Sequence, residues 1–142
     1  MIHFLDTSAL TKRYSEEAGS TAVRSLFRSR RRVAVSRIAY AEISAALARK
    51  EREGALVGRQ ADAVFGRLSA DFKSLEIVEI RGTLLDQVPQ LVRRHPLRGY
   101  DAVQLTCALA LRNANAAVTF WCADAALERA ALAEGLRTNV PA

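Results

Sequence analysis

Residues 2–6 read Ile-His-Phe-Leu-Asp, a short apolar run that ends at an acidic residue. Residues 118–124 read Val-Thr-Phe-Trp-Cys-Ala-Asp and repeat the pattern. Short apolar runs that lead into helix-capping residues are typical of buried strands in a parallel sheet. The carboxyl ends of parallel strands lie at one edge of the sheet, where ligand sites form. The two stretches therefore predict a parallel sheet with Asp6 and Asp124 at the same edge.

The rest of the chain alternates between short apolar runs and longer segments with helical periodicity. We predict strands at residues 2–5, 33–35, 75–80, 118–122 and 137–140. We predict helices at residues 9–14, 19–27, 36–52, 57–72, 83–95, 101–113 and 124–134, with Pro89 kinking or splitting the fifth. This alternation specifies a three-layer α/β/α sandwich around a mainly parallel sheet of five strands. A length of 142 residues suits one domain with a real core, so we predict a single domain over residues 1–142.

Several sequence features concern the compartment in which the protein works. Cys107 and Cys122 form neither a C-x-x-C motif nor a disulfide framework, which fits a reducing environment. The apolar run at residues 2–5 is too short for a signal peptide and is interrupted by Asp6. No stretch approaches the length of a membrane span. We therefore expect a cytoplasmic protein with no membrane segment.

The charge of the chain is strongly basic. Lys and Arg number 21 against 15 Asp and Glu, which gives a net charge of +6. A basic domain of this size suggests a polyanionic partner. Most of the positive charge is Arg, which suits bidentate contact with phosphate. A compositional bias of the genome explains the preference for Arg equally well.

Four acidic residues are placed where strands pass into helices or where helices begin: Asp6, Glu42, Asp101 and Asp124. Taken singly, the three aspartates have a structural explanation, because Asp caps helices and complements the helix dipole. Glu42 differs, since its helical neighbours at residues 38, 39, 45 and 46 are apolar. A carboxylate on an apolar face needs a partner, and a salt bridge to one of the many arginines is the alternative to a functional role.

The joint pattern of the four acids favours a cation site. Two carboxylates about 4 Å apart repel by roughly 1 kcal/mol in water and by several times more at a protein edge. Raised pKa values relieve this in part, and a hard divalent cation such as Mg²⁺ or Mn²⁺ relieves it further. His3 lies inside the first strand and His95 precedes Pro96, which argues against a zinc site. We therefore expect Mg²⁺ or Mn²⁺.

An acid-lined metal site in a basic protein indicates phosphate chemistry. Four cations close to the acids in sequence are candidates for holding an RNA backbone: Lys12, Arg13, Arg37 and Arg98. A solvated helix face is the alternative for each of them. An aspartyl phosphatase would need an acid where Ser8 stands, and no glycine-rich phosphate loop follows the first strand.

The chain resembles the PIN-domain ribonucleases, and among them the VapC-type toxins of toxin–antitoxin pairs. The matching stretches are residues 5–14 around Asp6, 36–46 around Glu42, 98–105 around Asp101 and 119–127 around Asp124. They follow the family's order and span most of the chain.

The resemblance implies a five-stranded parallel sheet and an endoribonuclease that depends on Mg²⁺ or Mn²⁺. It implies that Asp6, Glu42, Asp101 and Asp124 bind metal directly or through water, and that Thr7 or Ser8 steadies the site by hydrogen bonds. A metal-activated water would attack the phosphodiester in line and leave a 5′-phosphate and a 3′-hydroxyl. The family also implies a homodimer and a small VapB-like antitoxin that silences the site.

One position departs from the family. Relatives often carry Thr or Ser two residues before the fourth acid, where this chain has Cys122. A supporting hydroxyl is therefore missing beside Asp124. Two other functions stay open at this point: a PIN nuclease that processes RNA without an antitoxin, and a non-catalytic module that binds RNA or a partner.

Overall fold

A parallel sheet of five strands forms the centre of the protein, in a computed structural model that describes residues 1–142. The strands are β1 (Ile2–Leu5), β2 (Arg32–Ser36), β3 (Glu76–Val78), β4 (Val118–Trp121) and β5 (Arg137–Asn139). Their order across the sheet is β3-β2-β1-β4-β5, and every neighbouring pair is parallel. The chain leaves β1 toward β2 and later returns to the other side of β1 as β4. The gap between the carboxyl ends of β1 and β4 is therefore the switch point where such sheets bind ligands.

Seven α-helices connect the strands. They are α1 (Thr7–Tyr14), α2 (Ser20–Arg28), α3 (Ile38–Arg52), α4 (Gly58–Ser74), α5 (Val88–Arg94), α6 (Gly99–Asn113) and α7 (Ala125–Ala133). A short 3₁₀ helix, Leu84–Gln87, precedes α5. None of these helices combines the length and the apolar character needed to cross a membrane.

The helices cover both faces of the sheet, and each face has its own core. Phe4 and Phe120 point to the side covered by α5, α6 and α7, where their rings stack at 5.7 Å between centroids. Leu5 and Val35 point to the other side, covered by α1 to α4. Neighbouring residues of a strand face opposite sides, so β1 contributes to both cores. The predicted three-layer α/β/α sandwich with a five-stranded parallel sheet is confirmed.

The observed boundaries differ from the predicted ones in the region of Pro89. The single helix predicted over residues 83–95 is a 3₁₀ turn followed by α5, and Pro89 stands in the first turn of α5. Proline lacks the N–H that a helix interior needs, and the first turn tolerates this loss. The segment predicted to be kinked or split at Pro89 is therefore split next to this residue. The third strand is shorter than predicted, at three residues, because it lies at an edge of the sheet and pairs only with β2.

A partly buried ion pair fixes α1 against α4. Asp71 accepts hydrogen bonds from Arg13 Nε at 2.5 Å, from Arg13 Nη2 at 2.9 Å and from the Tyr14 hydroxyl at 2.6 Å. The guanidinium of Arg13 also lies 3.8 Å from the centroid of the Phe27 ring in α2. The Asp71 carboxylate raises the pKa of the Arg13 guanidinium despite the opposing effect of burial. Arg13 therefore connects its own helix to α4 through Asp71 and to α2 through Phe27.

Replacing Asp71 with alanine should destabilise the fold by about 3 kcal/mol, because it leaves the partly buried Arg13 charge and the Tyr14 hydroxyl without their acceptor. Urea unfolding followed by circular dichroism measures the loss. Asp62→Ala is the matched control, since Asp62 lies on the same helix and is exposed; its effect should stay within about 0.5 kcal/mol. Equal stability of the two variants would contradict a structural role for the ion pair.

Candidate active site

A cavity of about 460 Å³ opens at the carboxyl edge of the sheet. Its walls come from residues that follow β1 and β4 and from the helices α3 and α6. All four acids singled out in the sequence line it: Asp6, Glu42, Asp101 and Asp124. Four separate segments of the chain therefore bring one carboxylate each to a single cavity at the switch point of the sheet.

Asp6 is the most buried of the four acids, with 3% of its surface exposed. It caps α1, and its Oδ1 accepts hydrogen bonds from the Ala9 N–H at 2.8 Å and from the Ser8 hydroxyl at 2.7 Å. Burial raises the pKa of Asp6 to about 7, and the negative charges of Asp101 and Glu42 push in the same direction. Asp6 is thus both the cap of α1 and a carboxyl group in the cavity wall whose charged form is disfavoured.

Glu42 is held by neutral hydrogen-bond donors. Its Oε1 accepts from the Thr7 hydroxyl at 2.7 Å and from the Gln104 amide Nε2 at 3.2 Å. The alternative expected from the sequence, a salt bridge to an arginine, does not form. Neutral donors fix the carboxylate without cancelling its charge. Glu42 is therefore held in the cavity by hydrogen bonds and has no cationic partner.

Asp101 lies in the first turn of α6 and faces two other acids. Burial raises the pKa of its carboxyl, and the charges of Asp124 and Glu42 raise it further. The charge of Arg98 acts in the opposite direction and lowers it. The neighbouring acids therefore act on the pKa of Asp101 in the direction that repulsion between them predicts.

Ser8 and Cys122 connect the first acid to the fourth. The Ser8 hydroxyl donates to Asp6 and accepts from the Ala123 N–H at 2.9 Å, which ties the loop before Asp124 to α1. The buried Cys122 thiol contacts the Asp124 carbonyl oxygen at 3.6 Å, and burial raises the pKa of this thiol to about 12. Asp124 caps α7 by accepting from the Leu127 N–H at 2.9 Å. A hydroxyl from another helix therefore stands near the position where a hydroxyl at residue 122 was missing.

The four cations suggested as RNA contacts are not all at the cavity. Arg98 lines it and donates to the Tyr100 hydroxyl at 3.0 Å. Arg37 is exposed and pairs with Glu79 instead.

Lys12 and Arg13 do not occupy the RNA-facing position expected from the sequence. Lys12 is buried and donates to the Ala18 carbonyl at 2.6 Å and to Glu17 at 3.2 Å. Arg13 is committed to Asp71. Their proximity to Asp6 in sequence is misleading because α1 turns both side chains away from the cavity, Lys12 toward the connection before α2 and Arg13 toward α4.

Sequence reasoning assigned no role to Gln104 or to Tyr100, and both line the cavity. Gln104 is 1% exposed and also donates to the Thr7 hydroxyl at 2.9 Å. Its position three residues after Asp101 places both side chains on one face of α6, so helical spacing was a signal that could have identified it.

The donor set of the cavity suits a hydrated divalent cation. No three acidic, histidine or cysteine side chains converge closely enough to form a closed metal cage. A closed cage is not required, because Mg²⁺ keeps several waters and is commonly bound through one or two carboxylates. The cavity volume of about 460 Å³ gives room for such waters, since one water takes up roughly 30 Å³ in the liquid. Oxygen ligands and mutually repelling charges both fit Mg²⁺ or Mn²⁺.

Without metal, Asp6 should make wild-type stability fall with pH relative to Asp6→Asn. The pKa of Asp6 is raised from 3.8 to about 7, so the folded chain keeps a proton that the unfolded chain releases above about pH 4. The stability that this proton contributes to the folded state is fully present below about pH 4 and is lost as the pH rises through about 7. Thermal unfolding in a chelator should show Asp6→Asn gaining on wild type over this range.

The exposed Asp86 provides the control, because Asp86→Asn changes the same charge away from the cavity. Its stability relative to wild type should stay nearly constant over the same range. If the difference in stability between Asp6→Asn and wild type does not change with pH, the pKa of Asp6 is not raised in the folded protein.

Comparison with known proteins identifies the family. The family model described as PIN domain matches residues 3–132. Two proteins of Mycobacterium tuberculosis, ribonuclease VapC45 and ribonuclease VapC49, are each 36% identical to this chain over 136 residues. The match covers 94% of this chain and 92% of theirs.

Solved structures share the fold at lower sequence identity. FitAcB from Neisseria gonorrhoeae gives a TM-score of 0.71 at 18% identity, covering 99% of this chain and 98% of its own. VapBC2 from Rickettsia felis, bound to a DNA fragment from its promoter, gives 0.68 at 15% identity and covers 98% of both chains. VapC20 of M. tuberculosis, a toxin that cleaves the sarcin–ricin loop, gives 0.66 at 19% identity, covering 94% and 95%. The chain therefore belongs to the PIN-domain family and is, within it, a relative of the VapC ribonucleases.

Proposed function

We propose that this protein is an endoribonuclease that depends on Mg²⁺ or Mn²⁺ and acts as the toxin of a VapBC-type toxin–antitoxin pair. The observation that carries the proposal is the cavity at the switch point of the sheet, to which four separate segments bring one carboxylate each. The acids occur in a chain of net charge +6, which favours a polyanionic substrate.

The relatives support the nuclease and its partner. Two proteins 36% identical to this chain are named ribonucleases, and the similarity covers nearly the whole of each. Among proteins of the same fold, one structure is a toxin–antitoxin complex from Klebsiella pneumoniae and another is the VapBC2 complex. We expect this chain likewise to bind a small VapB-like antitoxin and to form a homodimer.

Each acid has a proposed role in holding the cation. Asp6 and Asp101 are the strongest candidates, because burial and neighbouring charges raise the pKa of both, and a bound cation relieves that strain. Glu42 and Asp124 complete the set, directly or through water. When bound, the cation lowers the pKa of a coordinated water and shields the charge that builds on the phosphate.

Other side chains of the cavity position the acids and the RNA. Thr7 and Ser8 donate hydrogen bonds to Glu42 and Asp6 and hold both carboxylates in place. Arg98 carries a fixed positive charge at the cavity wall, where it can pair with a phosphate oxygen of the RNA backbone. Tyr100 is exposed beside it and offers a ring for contact with a base or sugar.

Purified wild-type protein should cleave RNA in the presence of Mn²⁺, and Asp6→Asn should reduce the rate at least about 100-fold. The substitution removes the charge that holds the cation, while asparagine still caps α1 because it is as good a cap as aspartate. Gel analysis of labelled RNA, with a chelator lane, measures cleavage. The matched control is Asp86→Asn, an exposed acid outside the cavity, which should cleave like wild type.

Three outcomes would contradict part or all of the proposal. Cleavage that persists in chelator excludes the metal, and cleavage by Asp6→Asn at the wild-type rate excludes the proposed site. Metal-independent RNA binding without cleavage would show a binding module instead.

Expression of the protein alone should arrest growth, and co-expression of the adjacent small open reading frame should restore it. The antitoxin is expected to cover the acid-lined cavity and exclude RNA. Growth curves measure the arrest, and mapping of new 5′ ends in cellular RNA reports the target. An arrest that depends on Asp6 but is not relieved by any neighbouring frame would favour a PIN nuclease that processes RNA without an antitoxin.

A further inference from the structure

We propose that Gln104 is a positioning residue of the nuclease, whose side-chain amide sets the place of Glu42 in the cavity. The inference rests on the proposed function, since it assigns a further residue to the same site. Gln104 contacts Glu42 and Thr7 and lines the cavity, yet it carries no charge and offers no acidic ligand. Its influence on the reaction therefore passes through Glu42.

The amide joins three elements of the fold. Gln104 belongs to α6, one turn after Asp101, and its Nε2 donates to the Thr7 hydroxyl in α1 and to Glu42 Oε1 in α3. The Thr7 hydroxyl donates in turn to the same Glu42 oxygen at 2.7 Å. The two donors hold Oε1, while Glu42 Oε2 accepts no hydrogen bond from the protein. One oxygen of Glu42 is thus fixed and the other is left for a ligand.

The chemistry of the network dictates which way the amide faces. The reverse orientation would place the amide oxygen of Gln104 against the carboxylate of Glu42, where two acceptors repel. A glutamine at this position can therefore only act as a donor toward Glu42. An arginine or lysine in its place would also donate, but its charge would oppose a bound cation.

The other end of the amide is not satisfied by the fold. Its Oε1 is buried and has no hydrogen-bond partner. An unpaired buried carbonyl is unfavourable, and an apolar side chain of similar length would avoid that cost. Packing alone would therefore favour methionine or leucine here. The Nε2 hydrogen bonds to Thr7 and Glu42 are the feature that only a side-chain amide supplies.

The placement also links two acids. Asp101 and Gln104 share one face of α6, so the hydrogen bond from Gln104 ties Glu42 to the helix that carries Asp101. Both acids line the same cavity. Loss of the amide would release Glu42 from this arrangement.

Gln104→Met tests the inference, because it keeps the length of the side chain and removes the donor. The rate of RNA cleavage at saturating RNA and the affinity for Mn²⁺, measured by calorimetry, should each fall by about 10- to 100-fold, as is typical for residues that orient metal ligands. The KM for RNA should stay unchanged, since Gln104 acts through Glu42 and not on the RNA. The melting temperature without metal should not fall.

Thr106→Val is the matched control. Thr106 lies on the same helix, is fully buried and has an unpaired hydroxyl, but it does not line the cavity. This variant should bind Mn²⁺ and cleave RNA like wild type.

A double-mutant cycle separates positioning through Glu42 from an independent effect. In a Glu42→Ala background, Gln104→Met should cause no further loss of Mn²⁺ affinity or cleavage. The role of Gln104 would be overturned if the double variant lost the product of the two single losses. It would also be overturned if Gln104→Met matched wild type in both assays. Neither result would contradict the nuclease activity. A wild-type protein that neither takes up Mn²⁺ nor cleaves RNA would overturn the proposed function and this inference with it.

Discussion

Repulsion between carboxylates gathered at one edge of the sheet is the constraint on which the site depends. Parallel topology brings the ends of β1 and β4 together, and α3 and α6 add two more acids to the same cavity. The fold tolerates this by giving the acids neutral donors, namely hydroxyls, an amide and backbone N–H groups. None of these donors cancels the charge. The cavity therefore concentrates acidic side chains inside a chain of net charge +6, and we propose that a bound cation offsets their repulsion.

The packing outside the cavity explains why the acids stay in register. The two cores on either side of the sheet hold β1 from both faces, because Phe4 and Leu5 point in opposite directions. The helix that starts at Asp6 is then anchored at its far end by Arg13 and Tyr14, which share the carboxylate of Asp71. Because movement of α1 would break this partly buried ion pair, the ion pair also stabilises the position of the Asp6 cap at the other end of the helix.

Most strands and helices could be predicted from hydrophobic periodicity, because apolar strand runs and helix faces are local sequence patterns. The four acids were also accessible from the sequence, since cap positions and the apolar surroundings of Glu42 are visible there. The orientations of the cationic side chains could not be predicted from the sequence. Arg13 follows Asp6 closely along the chain, but its direction depends on where Asp71 lies, 58 residues away. Gln104 was missed for a related reason: its spacing from Asp101 places it on the same helix face, but the role of an uncharged side chain there depends on its contacts with Thr7 and Glu42. The pairing partners of long side chains are set by tertiary packing, which no local pattern records.

Two of the acids, Asp6 and Asp124, begin helices with their own side chains. Asparagine performs that architectural task about as well as aspartate. A descendant with asparagine at both positions would therefore lose two charges from the cavity and keep the starts of α1 and α7. In such a descendant, the acidic site would be lost while the fold and its outer surfaces remained. The same framework is thus open to reuse as an inert binder, reached by conservative exchanges that demand no reorganisation of the polypeptide.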